Sequence, residues 1–227
     1  MSDGPLPGPA TEQPPLTGDQ LLSTTRTVRR RLDLGRPVPV EVVTDCIRIA
    51  VQAPSAGNRQ AWHWVVITDP GIREKIGQYY LRAFHDKYPA AEARSRTSAI
   101  SGPLSGAQAR LVDSVVYLAE NLGRVPVLLL PCLRLPEGRL PEGNQAAVWG
   151  SLLPAVWSYM LAARIRGLGT AWTTLHLAYE TEIAELLGIP HDARQGALIP
   201  TAYHLGSEFR PALRAPLATA IHTNGWG

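Results

Sequence analysis

A chain of 227 residues is long enough to fill one compact core and short for two, and 45% hydrophobic against 18% charged residues excludes intrinsic disorder. The net charge of +3, from 22 basic and 19 acidic side chains, is too small an excess to indicate a nucleic-acid partner. The two cysteines, Cys46 and Cys132, lie far apart and outside any CxxC spacing, so no metal site and no disulfide framework is expected and both read as buried, inert thiols.

Residues 1–18 are rich in Pro and Gly and read as a mobile tail, with no basic stretch and apolar stretch in series as a secretory signal needs. A single domain over 19–227 is expected to follow. Its first element is a short helix over Asp19–Thr25; Pro37 and Pro39 then interrupt the chain before a helix over Val40–Val51. Pro, Ser, Gly and Asn cluster in a loop over 53–58, and Trp62–Thr68 reads as a buried strand. Asp69 and Pro70 have the chemistry of an N-cap and a first-turn proline. The weakly patterned stretch 90–107 is expected to be an exposed excursion or lid.

A helix over Gln108–Leu122 leads to Val125–Leu133, an apolar run of the kind found in a central strand covered on both faces. The helix expected over Ala147–Arg166 is apolar nearly all round, which places it in a core or an interface. Within it, the longest apolar stretch, Leu152–Ala163, contains Pro154 and is too short to cross a bilayer. Gly167 and Gly169 suit a left-handed helix end. A strand near Thr170–Thr174, a helix over Glu180–Leu187, a strand near Ala197–Leu205 and an extended arm complete the chain. Strands alternating with helices indicate a sheet flanked by helices, and a soluble, cytoplasmic setting with no membrane partner is expected.

Signatures of hydrolases, zinc proteases, P-loops and dinucleotide-binding glycine loops are absent. The six histidines are scattered and read as structural or solvent-facing, and Glu180 and Glu182 read as a solvated helix surface. A filled core with no nucleophile, acid or base of its own points to chemistry carried by a bound cofactor, so no catalytic residue is assigned. Three segments could hold one. The run from Thr25 to Leu32 offers Arg26, Arg29, Arg30 and Arg31, whose forked donors suit a phosphate, or else form a solvated charge cluster. The loop from Ala53 to Gln60, followed by Trp62, and the segment from Gly167 to Thr174 could each be plain turns in isolation.

Taken in order, these segments resemble the FMN-dependent nitroreductases. Members open with an R-x-S-x-R-like phosphate motif, continue into A-P-S-x-x-N-x-Q-P-W and carry a late A-A-x-x-x-G-L-G. The counterparts in this chain are the run Arg26–Arg30, APSAGNRQAW at 53–62 and AARIRGLG at 162–169. The similarity extends from about Ser23 to Pro216, and the second motif is the most specific. Ala61 stands where the family often has Pro. Two registers of the arginine run compete: aligning Leu32 with the family's aromatic makes Arg26 and Arg30 the contacts, whereas aligning Thr27 with the motif Ser makes them Arg26 and Arg29.

The resemblance implies an α+β fold with a nitroreductase-like mixed sheet flanked by helices, in an intertwined homodimer with FMN at the interface. It implies that Arg26, Thr27, Arg29 or Arg30, and Arg214 in the C-terminal arm hold the phosphate. Pro54, Ser55, Ala56 and Asn58 would line the flavin ring from the partner subunit. Trp172, Thr173 and Thr174 would face its other side, with backbone N–H groups toward it. NADPH, or NADH, would reduce the flavin, and nitro- or quinone-type compounds would reoxidise it in the same pocket. A flavin-fragmenting or dehalogenating enzyme on the same scaffold is the nearest alternative, and a nucleic-acid-binding module using Arg29–Arg31 a remote one.

Overall fold

A computed structural model describes residues 16–88 and 106–226. The tail is described only from Leu16, and the proposed lid lies almost wholly outside the described residues. Helix α1 (Gly18–Thr24) opens on a capping box in which the Gln20 N–H donates to the Thr17 hydroxyl at 3.2 Å and the Thr17 N–H to the Gln20 side chain at 2.9 Å. Helix α2 (Val40–Ala50) starts directly after Pro39 and buries Val43, Cys46 and Ala50, a 3- and 4-residue spacing that lines one face. Strand β1 (Trp62–Ile67) is followed by α3 (Pro70–Lys87), whose Asp69 side chain caps the Ile72 N–H at 2.9 Å. Then come α4 (Gly106–Asn121) and β2 (Val127–Arg134).

After β2 the chain forms α5 (Ala146–Ile165), β3 (Leu168–Thr170), α6 (Glu180–Leu187), β4 (Ala193–Gln195) and β5 (Ile199–Tyr203). The sheet runs β1-β2-β5-β3, with β4 also paired to β2. All named strand pairs are antiparallel; its mixed character comes from one parallel bridge between Thr27 and Thr170.

Strand β2 explains the two-layer packing. Its alternate residues Leu128, Leu130 and Cys132 join a core with Ile76, Tyr80, Leu118 and Leu122 from α3, α4 and the turn after it. The residues between them, Val127, Leu129 and Leu133, join a second core with Val43, Cys46, Leu152, Val156 and Tyr159 from α2 and α5. Burial on both faces thus arises in an antiparallel strand because helices cover each side, not because the sheet is parallel. Both thiols are buried and free, their pKa values pushed up by burial to about 11 for Cys46 and about 12 for Cys132.

Three expected boundaries shift. Strand β2 starts two residues late because Leu122–Arg124 continue as a 3₁₀ turn. Strand β3 starts at Leu168, directly after the left-handed Gly167 (φ 74°), and is over by Thr170. The expected last strand is preceded by the separate β4, which lacks an alternating pattern long enough to be read. Helix α5, at 20 residues, is longer than the apolar stretch seen in the sequence and matches a membrane span in length and composition. Its Leu152, Val156, Tyr159, Met160 and Ala163 are nevertheless buried in the second core.

Candidate functional site

The arginine run is pulled onto the sheet edge by backbone bonding. The Val28 N–H donates to the Thr170 carbonyl at 2.8 Å, and Val28 itself is buried. Leu32 is buried as well, bridged to His204. Between these two anchors the arginines fan out. Arg29 lines a cavity of about 220 Å³ together with Tyr80, Lys87, Trp172, Thr173 and Thr174. Arg30 stays outside, its guanidinium 5.5 Å from the Tyr117 ring centroid, and Thr27 is exposed. Of the two competing registers, only that with Arg29 brings an arginine into the cavity.

Arg29 donates to the Ser114 hydroxyl at 3.3 Å and forms no ion pair among the described residues. Burial lowers its pKa from the ordinary value, yet a guanidinium stays charged at any working pH. A half-desolvated cation without a counter-ion is costly unless an anion or strong acceptor reaches it. In the same lining, Tyr80 and Thr173 share a hydrogen bond of 2.8 Å between their hydroxyls. The Thr173 N–H donates to the Leu198 carbonyl at 3.1 Å, and the Leu198 N–H returns to the Thr173 carbonyl at 2.9 Å. The expected availability of the Thr173 N–H is therefore corrected. Because successive amides of an extended chain point to opposite sides, the N–H groups of Trp172 and Thr174 face away from Leu198 and are unpaired among the described residues.

The other expected residues sit apart from this cavity. Arg26 donates to the Arg210 carbonyl at 3.2 Å, tying the run to the C-terminal arm. Arg31 adds a second tie, donating to the Glu208 carbonyl at 3.0 Å and covering Phe209, whose ring also meets Arg164. Arg214 is exposed, and among the described residues its guanidinium reaches only the neighbouring Leu213 carbonyl at 3.4 Å. The loop carrying Pro54, Ser55, Ala56 and Asn58 lies against the start of α5, where the Ala56 N–H donates to the Ser151 hydroxyl at 2.9 Å. None of these four lines the cavity of its own chain. The loop is tightly wound: Gly57, Asn58 and Gln60 have φ of 59°, 53° and 49°. Such backbone is held only where the surroundings over-determine it; here the Ser55 hydroxyl takes the Gln60 N–H at 3.2 Å and the Asn58 side chain takes the Gln60 amide at 2.9 Å.

Sequence reasoning missed Tyr80, Lys87, Tyr88 and Leu118, which the fold adds to the cavity from α3, the residue after it and α4. Only the Ile76, Tyr80 and Phe84 spacing hinted that one face of α3 was buried. One reading of a polar residue is also revised. Glu180 does more than solvate α6, for its carboxylate accepts the Gln195 N–H at 3.1 Å. His176, one residue beyond the cavity lining, is completely buried with both ring nitrogens unpartnered among the described residues, and burial pushes its pKa down to about 3.

The nitroreductase family model matches residues 22–203. The chain belongs to the nitroreductase family. Rat iodotyrosine deiodinase 1 is 23% identical over 193 residues, covering 81% of this chain and 61% of the rat protein, so the chain spans less than two thirds of that relative's length. A putative NADH dehydrogenase/NAD(P)H nitroreductase of Archaeoglobus fulgidus is also 23% identical, covering 81% of this chain and 83% of its own. Among solved structures, oxidised iodotyrosine deiodinase bound to FMN and 3-iodo-L-tyrosine superposes with a TM-score of 0.66 at 20% identity, over 91% of this chain and 98% of that one. The FMN-dependent nitroreductase of Mycobacterium smegmatis in complex with NADPH gives 0.63 at 19% identity, over 91% and 97%. These likenesses establish the nitroreductase fold for the five-stranded sheet and its helices.

Proposed function

We propose that this nitroreductase-family chain is an FMN-dependent oxidoreductase, moving reducing equivalents from NADPH or NADH to nitro- or quinone-type compounds as a homodimer. The observation that carries the reading is the composition of the cavity wall. Among the described residues Arg29 has no carboxylate to neutralise it, and it lines the same cavity as Trp172, Thr173 and Thr174. A cation, hydroxyls and free amides make a surface of donors. FMN fits such a surface, because its ring edge presents carbonyl oxygens and ring nitrogens as acceptors and its phosphate is anionic.

Size supports the dimer. The cavity of about 220 Å³ falls below the roughly 300–1,000 Å³ usual for ligand pockets, so one chain supplies one wall. A second chain would bring the tightly wound loop at 54–58 as the facing wall. A docking strip is available on α5, where Ala147, Gly150, Pro154, Trp157 and Ile165 form an exposed apolar line at helical spacing. Flavin, when bound, would accept the hydride from the nicotinamide and hand electrons to the acceptor. The chain's own work is to bind and orient. Arg26, with Thr27 and Arg30 beside it, and Arg214 from the arm would hold the phosphate. Arg29 would stabilise negative charge at the ring edge. Trp172, Thr173 and Thr174 would fix the ring plane and exclude water. The surplus of arginines favours NADPH, whose extra phosphate they can meet.

The visible spectrum of the purified protein, followed by identification of the released flavin and NADPH oxidation with a nitroaromatic or a quinone, tests this. The expected outcome is a yellow protein releasing FMN equimolar with chain and turning over NADPH. A colourless folded protein, or one carrying FAD, overturns it. Dehalogenation is the second reading, favoured by the 81% of this chain that aligns with rat iodotyrosine deiodinase 1. Under it, the reduced protein would release iodide from 3-iodo-L-tyrosine and oxidise little NADPH with nitroaromatics.

A further inference from the structure

We propose that Tyr80 is a positioning residue: its phenol donates to the Thr173 hydroxyl, which turns the threonine's own hydrogen into the cavity and makes the site favour oxidised over reduced FMN. The inference rests on the flavin reading above and assigns a redox bias to one hydrogen bond within it.

Hydrogen-bond accounting fixes the direction of that bond. Tyr80 lies in the core with Ile76 and Phe84 and is only 2% exposed. Among the described residues its hydroxyl has one partner, the Thr173 hydroxyl at 2.8 Å. Both residues line the cavity, but Tyr80 is almost wholly buried and a buried phenolic hydrogen without an acceptor is costly, whereas the less buried Thr173 can place its own hydrogen in the cavity. The phenol is also the more acidic of the two hydroxyls and hence the better donor. Burial raises its pKa further, so it keeps its proton throughout the working range. Tyr80 therefore donates and Thr173 accepts.

The Thr173 main chain cannot relax away from this arrangement. Both its N–H and its carbonyl are bonded to Leu198. The threonine oxygen is held in place with one lone pair occupied and its hydrogen offered to whatever fills the cavity. An oxidised flavin ring presents only acceptor nitrogens on its reactive edge. Two-electron reduction places a hydrogen on one of them and converts an acceptor into a donor. A hydroxyl locked as a donor complements the first state and opposes the second. Freed from Tyr80, the same hydroxyl could rotate and serve either.

The test is Tyr80→Phe, which keeps the ring and removes only the phenolic oxygen. FMN-loaded protein is equilibrated with redox dyes to read its midpoint potential, and dissociation constants are measured for oxidised and reduced FMN. The expected result is a shift of about tenfold in relative affinity toward reduced FMN. For a two-electron couple that is an upward shift of about 30 mV. Thr173→Val should give the same shift, and Tyr80→Phe added to it should give no further one; Thr173→Ser should retain the wild-type potential. Should Tyr80→Phe not fold, the Val and Ser variants carry the test. An unchanged potential in flavin-loaded Tyr80→Phe or Thr173→Val, a shifted one in Thr173→Ser, or a Tyr80→Phe shift that persists beside Thr173→Val, overturns the proposal. Wild-type protein with no flavin would instead overturn the functional reading itself, so the two failures are distinct.

Discussion

Val28 fills the space that any side chain on Gly169 would need: a Cβ at Gly169 would stand 2.9 Å from both Cβ and Cγ1 of Val28. The late glycine segment is thus a seat for the arginine run as well as a helix end, and it sets how close that run lies to β3. Gly169→Ala should push Val28 off the sheet and destabilise the fold by about 1–3 kcal/mol, the usual cost of overpacking. Chemical denaturation measures this, and an unchanged midpoint would show that the run yields without loss.

The arginines are expected to separate by role. Arg29→Ala and Arg214→Ala should each weaken FMN binding by about 2–3 kcal/mol, roughly 30- to 150-fold. Among the described residues Arg214 has no partner beyond the Leu213 carbonyl, so its loss should leave the melting temperature unchanged. Flavin titration of the apo-proteins beside thermal melts checks both. An unaltered dissociation constant for Arg214→Ala would reduce it to a solvated charge.

His176 gives the protein a specific acid sensitivity. Its folded pKa of about 3 lies below the unfolded value near 6.5, so the unfolded chain takes up a proton that the folded chain refuses. Stability from this group is complete above pH 6.5 and declines as the pH falls toward 3. At pH 5 the loss should be about 2 kcal/mol. His176→Leu, of similar volume and with no hydrogen bond to lose, should flatten denaturation midpoints between pH 6.5 and 5. A slope that survives the substitution would assign the acid sensitivity to other groups.

The apolar strip on α5 should be an interface. Trp157→Glu, a half-exposed position in a single chain, is expected to shift the mass in light scattering toward one chain and to lower flavin occupancy together with it. A wild-type protein of monomeric mass with FMN bound would rule the arrangement out.

Element order was largely readable because local signals were strong: the Asp69–Pro70 start of α3, the Gly167 end of α5 and the β2 run all occur where their chemistry demands. Three of the site's segments were legible as motifs for the same reason. The register of the arginines was not, since it depends on Thr170 taking the Val28 N–H from far along the chain. Tyr80 was equally hidden, because one aromatic in an amphipathic helix looks the same whether its hydroxyl meets solvent or a threonine 93 positions away. Glu180 looked solvated for want of any signal that β4 would end against it.

Phe209 is gripped between the guanidinium groups of Arg31 and Arg164 at 4.2 and 3.9 Å. Beyond it, Leu213, Leu217, Ile221 and Trp226 are 57–100% exposed. A solitary copy therefore displays the kind of exposed greasy peptide that quality-control machinery reads as unfinished. Its lifetime in a cell would depend on how soon that arm finds a surface to lie on, which ties abundance to chain concentration.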